Sequence, residues 1–210
     1  MKLTVFGASG RTGLEVIEQG LAAGNEVRAV VRHPTRLPHD RAGLEVVIAD
    51  VMDPPAIVEA VSDRDAVISA IGTRAGRAPT TVCTDSARSI IEAMHDAGTK
   101  RFVVVSGTGP FNEGEGFGMR YVIKPLGKRL LRHVFSDFVA MEAVVRASGL
   151  DWTVVRPPRL TDKPFTGRYR TRRDENMHGN FAVSRADLAD LILRVCADDD
   201  TRGAAIYIAK

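Results

Sequence analysis

The chain has 210 residues, of which 44% are hydrophobic, 26% charged and 6% aromatic, and its formal net charge is +3. This length suits one α/β domain, the composition excludes wholesale disorder, and so few aromatics argue against a base-stacking surface for nucleic acid. Cys83 and Cys196 stand far apart with no CxxC pair, which excludes a zinc ribbon or redox dithiol, and neither an HExxH motif nor an acidic cluster suggests a catalytic metal.

Lys2–Phe6 reads as the first strand and leads straight into Gly7-Ala8-Ser9-Gly10-Arg11-Thr12-Gly13. A helix is expected over Thr12–Ala23, with Leu14, Ile17 and Leu21 at helical spacing and Gly24 ending it. Glu26–Val31 is the second strand, followed by a basic loop from Arg32 to Pro38, and Leu44–Ala49 is the third. Asp53, Pro54 and Pro55 open a helix to Val61, proline being tolerated in a first turn. Ala66–Ala70 is the fourth strand, closed by Gly72, and Thr80–Ala97 is a long helix burying Val82, Ala87, Ile90, Ile91 and Met94. Arg101–Val105 is the fifth strand, and the Gly-rich stretch Gly107–Gly118 carries no clear element. A helix then covers Leu126–Ser148, with a break expected near Phe135 and Ser136. Trp152–Arg156 is the sixth strand, stopped by Pro157 and Pro158. A short strand over Gly167–Thr171, a helix over Arg185–Ala197 with Ser184 as N-cap, and a strand over Ala204–Ile208 complete the chain.

Alternating strands and helices, with strands that are apolar runs, define an α/β class: a Rossmann-type doubly wound parallel sheet with helices on both faces. Residues 1–210 are expected to form one domain, because the polar tail after Pro158 is too short to fold alone and must return as a small C-terminal cap. Segments 107–128 and 158–184 are expected on the substrate side of the cleft. Met1 is followed by a charged residue and a strand, with neither a signal-like apolar region nor a membrane-length apolar run, so a cytoplasmic location is expected.

The glycine spacing has the strand-to-helix context that dinucleotide binding requires. Gly7 permits the tight turn, Gly10 lets the backbone approach a pyrophosphate, and Gly13 lets the helix pack on the sheet. Ser9, Arg11 and Thr12 share this turn, and the helix N-terminus offers N–H groups to phosphate. No acidic residue ends the second strand, where an NAD site would place one for the ribose hydroxyls. Arg32 stands there, with Arg36 four positions on, and guanidinium groups suit a 2′-phosphate, so NADP(H) is expected over NAD(H). The competing reading is a solvated basic loop. Asp50, beside Val51, is placed to accept from the adenine amino group. Ala70, Ile71 and Gly72 let the cofactor lie close to backbone, and Ser106 and Pro157 complete the lining at the next strand ends.

With these motifs the chain resembles the atypical short-chain dehydrogenase/reductase group, and within it the flavin reductase/biliverdin reductase B type. The likeness rests on Gly7–Gly13, on Val31-Arg32 with Arg36, and on Gly72-Thr73-Arg74 followed by Pro79-Thr80-Thr81-Val82. It extends to Ser148-Gly149-Leu150, Pro157-Pro158, Pro164 with Thr166-Gly167, and Ser184, Asp187 and Leu188. The resemblance implies hydride transfer from NADPH to flavins or linear tetrapyrroles, with Ser106 lining the site. Gly107-Thr108-Gly109, the segment Phe111–Lys128, and Arg159 in place of a histidine depart from that type on the substrate side.

Conventional members of the wider group pair a tyrosine with a lysine four residues later. Here Tyr121 has Pro125 at that position and Lys124 one residue short, and Pro125 would disturb a helix spanning both. Tyr121 and Lys124 therefore rank below Ser106 as catalytic candidates. Arg168, Arg170 and Arg172 would share one face of an extended segment, towards an anionic substrate or towards solvent. The leading expectation is an NADPH-dependent reductase of a small planar acceptor, without nucleic-acid or membrane partners and with no oligomeric state legible. A non-catalytic cofactor sensor or assembly protein is the alternative, and an epimerase a third reading.

Overall fold

In a computed structural model of the chain, residues 1–33, 37, 41–73, 78–109, 124–177 and 181–210 are described, those at 124–130 by their backbone alone. The first half alternates β1 (Lys2–Phe6), α1 (Arg11–Ala22), β2 (Glu26–Val31), β3 (Leu44–Ile48), α2 (Pro54–Val61) and β4 (Ala66–Ser69). It continues with α3 (Val82–Ala97), β5 (Arg101–Val105), α4 (Lys124–Arg146) and β6 (Asp151–Arg156). The tail contributes β7 (Arg159–Thr161), β8 (Arg170–Arg173), β9 (Ala182–Ser184), α5 (Arg185–Ala197) and β10 (Ala204–Ala209).

Eight of these strands form one sheet in the order β3-β2-β1-β4-β5-β6-β10-β8. Neighbours from β3 to β10 are parallel, and the edge strand β8 runs antiparallel to β10. Strand alternation sends apolar side chains to both faces. Leu3 and Val5 of β1 join Val16 and Ile17 of α1 and Leu188 and Ile192 of α5 in one core. Phe6 points to the other face, with Ile57 of α2, Ile90 and Met94 of α3 and Met141 of α4. Thr4 is the polar exception, and its buried hydroxyl donates to the Ala60 carbonyl at 2.6 Å. Burying each large apolar side chain stabilises the fold by roughly 1.5–3 kcal/mol. A sheet covered on both faces therefore needs apolar residues at nearly every strand position.

Several sequence expectations change. The strand expected over Gly167–Thr171 lies at Arg170–Arg173, because its partner Ala209 is reached only at Arg170. Of the expected arginine stripe, Arg168 therefore precedes the strand, while Arg170 and Arg172 lie within it and are exposed. β7 and β9 were not expected, being three residues each with no alternation to betray them, and they pair with one another apart from the main sheet. α4 departs from helical geometry at Leu131 (φ −108°, ψ 16°) and not at Phe135 and Ser136. Phe135 stays helical with its ring against Gly109, where an added Cβ would lie 2.3 Å from the ring. Pro125 is compatible with helix because Lys124 opens α4 and the proline falls in its first turn.

The chain builds outward from β1 through β2 to β3, then returns to the other side of β1 with β4. That reversal opens a crevice at the carboxyl ends of β1 and β4, where sheets of this kind take ligands.

Candidate functional site

The turn after β1 is held by the Gly10 N–H donating to the Gly7 carbonyl at 2.9 Å. Gly7 has φ +73°, and a Cβ there would lie 2.7 Å from the Ala70 backbone at the end of β4. A Cβ on Gly13 would stand 2.3 Å from the Gly7 carbonyl oxygen, so only glycine lets α1 start this close to the turn. Gly10 is the N-cap of α1 and supplies no side-chain acceptor. The first N–H groups of α1 therefore have neither an intrahelical nor a capping partner. Ser9 and Thr12 are half-buried and make no side-chain hydrogen bond among the described residues.

Two other long helices, α3 and α5, have partners at their starts. Asp137 of α4 accepts from the Cys83 N–H at 3.0 Å, the Thr84 N–H at 2.9 Å and the Thr84 hydroxyl at 2.6 Å, and so closes the start of α3. At α5 the Ser184 hydroxyl accepts from the Asp187 N–H at 3.0 Å. Asp187 in turn takes the N–H groups of Thr166 and Gly167 at 2.8 and 3.0 Å, which fixes that loop to the helix. Burial opposes ionisation of Asp187, but these hydrogen bonds, with those to the Thr166 and Ser184 side chains, hold its carboxyl below the usual range.

The remaining nucleotide-side candidates lie around the crevice. Arg32 is exposed directly after β2 and makes no hydrogen bond or ion pair among the described residues. Arg36 lies outside the described residues. Asp50 is exposed after β3, with one carboxylate oxygen accepting from the Met52 N–H at 3.0 Å, and Val51 is half-buried against the second core. Ala70 and Ile71 are half-buried, and an added Cβ on Gly72 would meet no atom within 4 Å. Arg11 is turned to the tail and pairs with Asp162 at 2.6 Å, whose other oxygen pairs with Arg185 at 2.5 Å. The glycine turn and the segment after β7 are thereby linked through one carboxylate.

At the end of β5 the chemistry is different. Ser106 is buried, its N–H donates to the Val155 carbonyl at 2.9 Å, and its hydroxyl donates to Glu142 Oε1 at 2.7 Å. Glu142 is fully buried and also accepts from Arg156 Nε at 3.0 Å, Arg156 Nη2 at 2.5 Å and Arg146 Nη2 at 2.8 Å. Arg156 also donates to the Tyr207 hydroxyl, with its guanidinium carbon 5.1 Å from a Tyr207 ring centroid. Gly107 and Gly109 make room for Phe138 and Phe135 of α4, which brings that helix, and Glu142 with it, down onto the end of β5. The Pro157 carbonyl accepts from the Thr108 N–H at 3.0 Å and ties the ends of β5 and β6 together. Lys124 is the first residue of α4, and Tyr121 lies outside the described residues, as do 110–123 and 178–180 of the expected substrate side. Burial raises both thiols: Cys83, next to Asp137, to about 12 and Cys196 also to about 12, so neither is a reactive thiolate.

Sequence reading missed Glu142, Arg156 and Tyr207. Their signal was present but faint. Glu142 falls in the stripe Phe138, Met141, Val145 that faces the core, and Arg156 ends an otherwise apolar strand. Among the described residues no cluster of three or more His, Cys, Asp or Glu side chains could hold a metal, and no helix is long and apolar enough to cross a membrane.

The geometry fits a dinucleotide: a helix N-terminus without a side-chain cap, a glycine cradle that a Cβ would fill, and an arginine after β2 with no partner among the described residues. Comparison with known proteins agrees. A family model described as NAD(P)H-binding matches residues 7–199. The sugar epimerase YhfK of Bacillus subtilis, itself uncharacterized, is 29% identical over 221 aligned positions, covering 100% of this chain and 94% of the relative. A short-chain dehydrogenase/reductase from Veillonella parvula, solved in complex with NADP, superposes with a TM-score of 0.84 at 19% identity, covering 100% of this chain and 94% of that one. ChuY, an anaerobilin reductase from Escherichia coli O157:H7, superposes with a TM-score of 0.80 at 22% identity, over 100% and 97% of the two chains.

Proposed function

The chain belongs to the NAD(P)H-binding family, and from that premise we propose that it is an NADPH-dependent reductase passing hydride to a flavin, quinone or similar planar acceptor. The observation that carries this reading is the bare N-terminus of α1 above the glycine turn, flanked by the unpaired Arg32. In this arrangement the Gly7–Gly13 turn, with Ser9, Thr12 and the backbone of Arg11, whose side chain is held by Asp162, receives the pyrophosphate, and Arg32 with Arg36 receives the 2′-phosphate. Asp50 and Val51 border the adenine. Ala70, Ile71, Gly72, Ser106 and Pro157 line the nicotinamide end, and segments 107–128 and 158–184 form the acceptor side.

The bound dinucleotide supplies the hydride, and the protein supplies alignment of two flat rings. Ser106 already spends its proton on Glu142, so it is not the source of a proton for the reduced acceptor; solvent serves that role. This favours acceptors that are electron-poor and need no positioned acid. The likeness to the flavin reductase/biliverdin reductase B type supports the same class of acceptor, and ChuY, itself an anaerobilin reductase, shares the fold.

Stopped-flow oxidation of bound NADPH over a panel of flavins, quinones and tetrapyrroles tests the reading. Acceptor-dependent oxidation is expected. An epimerase would return its cofactor unchanged after each turnover and show no net oxidation. Tight NADPH binding with no turnover on any acceptor would replace the reductase by the cofactor-sensing alternative.

A further inference from the structure

We propose that Glu142 is a positioning residue that fixes Ser106 as a hydrogen-bond acceptor, so that the cleft selects a ligand group presenting an N–H or O–H donor at the end of β5. The inference rests on the dinucleotide reading above, since it concerns the same cleft.

A serine hydroxyl has one proton to give and two lone pairs with which to accept. Which of these a ligand meets depends on where the proton is committed. Both oxygens of Glu142 are ringed by donors. Oε1 takes the Ser106 hydroxyl at 2.7 Å and Arg156 Nε at 3.0 Å, and Oε2 takes Arg156 Nη2 at 2.5 Å and Arg146 Nη2 at 2.8 Å. Both oxygens of Glu142 accept from guanidinium groups, and a carboxylate so paired has only lone pairs to offer the Ser106 hydroxyl. The Ser106 proton therefore points to Glu142, and its lone pairs are left to accept. No donor among the described residues occupies them.

The clamp is stiff. Arg156 is held between Glu142 and Tyr207, and Arg146 lies over Trp152 with 5.6 Å from its guanidinium carbon to a ring centroid. The Ser106 backbone is anchored to β6 through Val155, and its hydroxyl is committed to Glu142. The chemistry that complements this position is a primary carboxamide N–H, such as the nicotinamide carries. A carbonyl oxygen facing the same lone pairs would be repelled.

The test is equilibrium binding of NADP+ and of its 3-acetylpyridine analogue, which keeps the carbonyl and lacks the amide N–H groups. Wild type is expected to favour NADP+ by about twofold to tenfold, the worth of one ordinary hydrogen bond. Ser106→Ala should bring the two ligands to near-equal affinity. Glu142→Asp keeps the charge for the arginines but draws the carboxylate back from Ser106, and it should reduce the ratio towards that of Ser106→Ala while binding of the rest of the dinucleotide persists. A purely structural role for Glu142 would weaken both ligands together and leave the ratio alone. Should Glu142→Asp fail to fold, the wild-type and Ser106→Ala ratios still decide the polarity of the serine. Equal binding of the two ligands by wild type, or a ratio that survives in Ser106→Ala, overturns this inference and leaves the dinucleotide reading standing. Absence of binding of either ligand to wild type overturns the dinucleotide reading and this inference with it.

Discussion

The ends of β1 and β5 lie two strands apart on the same rim of the sheet and are finished in different ways. After β1 the surface is backbone: a glycine turn, an uncapped helix and an arginine without a partner among the described residues. After β5 it is side chain, and the polar groups there already satisfy one another through Ser106, Glu142, Arg156 and Tyr207. An unsatisfied rim can take charge from outside at little cost. A saturated rim resists rearrangement and presents one fixed polarity. On the proposed reading, the first end takes the phosphates and the second holds the ring in register.

The most severe break of this contrast is on the saturated side. Glu142→Ala leaves Arg156 buried without its carboxylate, and removing one partner of a buried ion pair costs about 3–5 kcal/mol. Urea unfolding should register that loss as a lowered midpoint with an unchanged slope. A loss below about 1 kcal/mol, the range of an exposed pair, would show that the network is not the support of this rim. On the bare side the corresponding change is Gly10→Val. Its Cβ would meet only the Gly7 carbonyl oxygen, at 3.0 Å, so the turn should survive with a small adjustment. Dinucleotide affinity should instead fall beyond detection by calorimetry, because the added side chain occupies the approach to the pyrophosphate. A folded variant with wild-type affinity would move the cofactor elsewhere.

These two rims also differ in how far they were legible. The turn after β1 is encoded within seven consecutive residues, Gly7 to Gly13, and each glycine has a local steric reason. The order of strands and helices followed from apolar runs and breaks, and β5 and α5 were placed to the residue. The network after β5 joins residues 14 to 51 positions apart in its individual hydrogen bonds. No local pattern reports which buried charge meets which. Gly107 and Gly109 looked like a departure from the related type, and only the packing of Phe135 and Phe138 against them gives them a purpose. β7 and β9 were illegible for another reason: three residues are too few for a period of two to emerge.

A gentler test of the bare rim concerns the choice of cofactor. Arg32→Ala should weaken NADPH binding about tenfold to a hundredfold, as expected when charge-assisted hydrogen bonds worth about 1.5–3 kcal/mol are lost. NADH, which lacks the 2′-phosphate, should be barely affected. Comparing the two dissociation constants in wild type and variant checks this directly. Equal losses for both cofactors would mean that Arg32 acts on the loop and not on the phosphate, and would remove the case for NADP(H) over NAD(H).

The smallest effect probes the C-terminal cap, where Asp187 joins the start of α5 to Thr166 and Gly167. Its carboxyl is held below the usual range in the folded protein, since hydrogen bonds from these N–H groups outweigh the cost of burial. An unfolded aspartate titrates near about 4. Asp187 therefore contributes its full stabilisation above that pH, and the contribution is lost as the pH falls through its lower folded value. Asp187→Asn removes the charge at every pH while keeping the shape and one acceptor oxygen. Its deficit against wild type should be largest near neutrality, at most about 1.5–3 kcal/mol for a charged hydrogen-bonding group. As the pH falls from about 4 through the lower folded value the two unfolding curves should converge, because wild type then also comes to carry a neutral side chain there. A deficit that stays constant from neutral to acid pH would assign the cap to shape alone, and the loop at 166–167 would no longer be tied to the charge on α5.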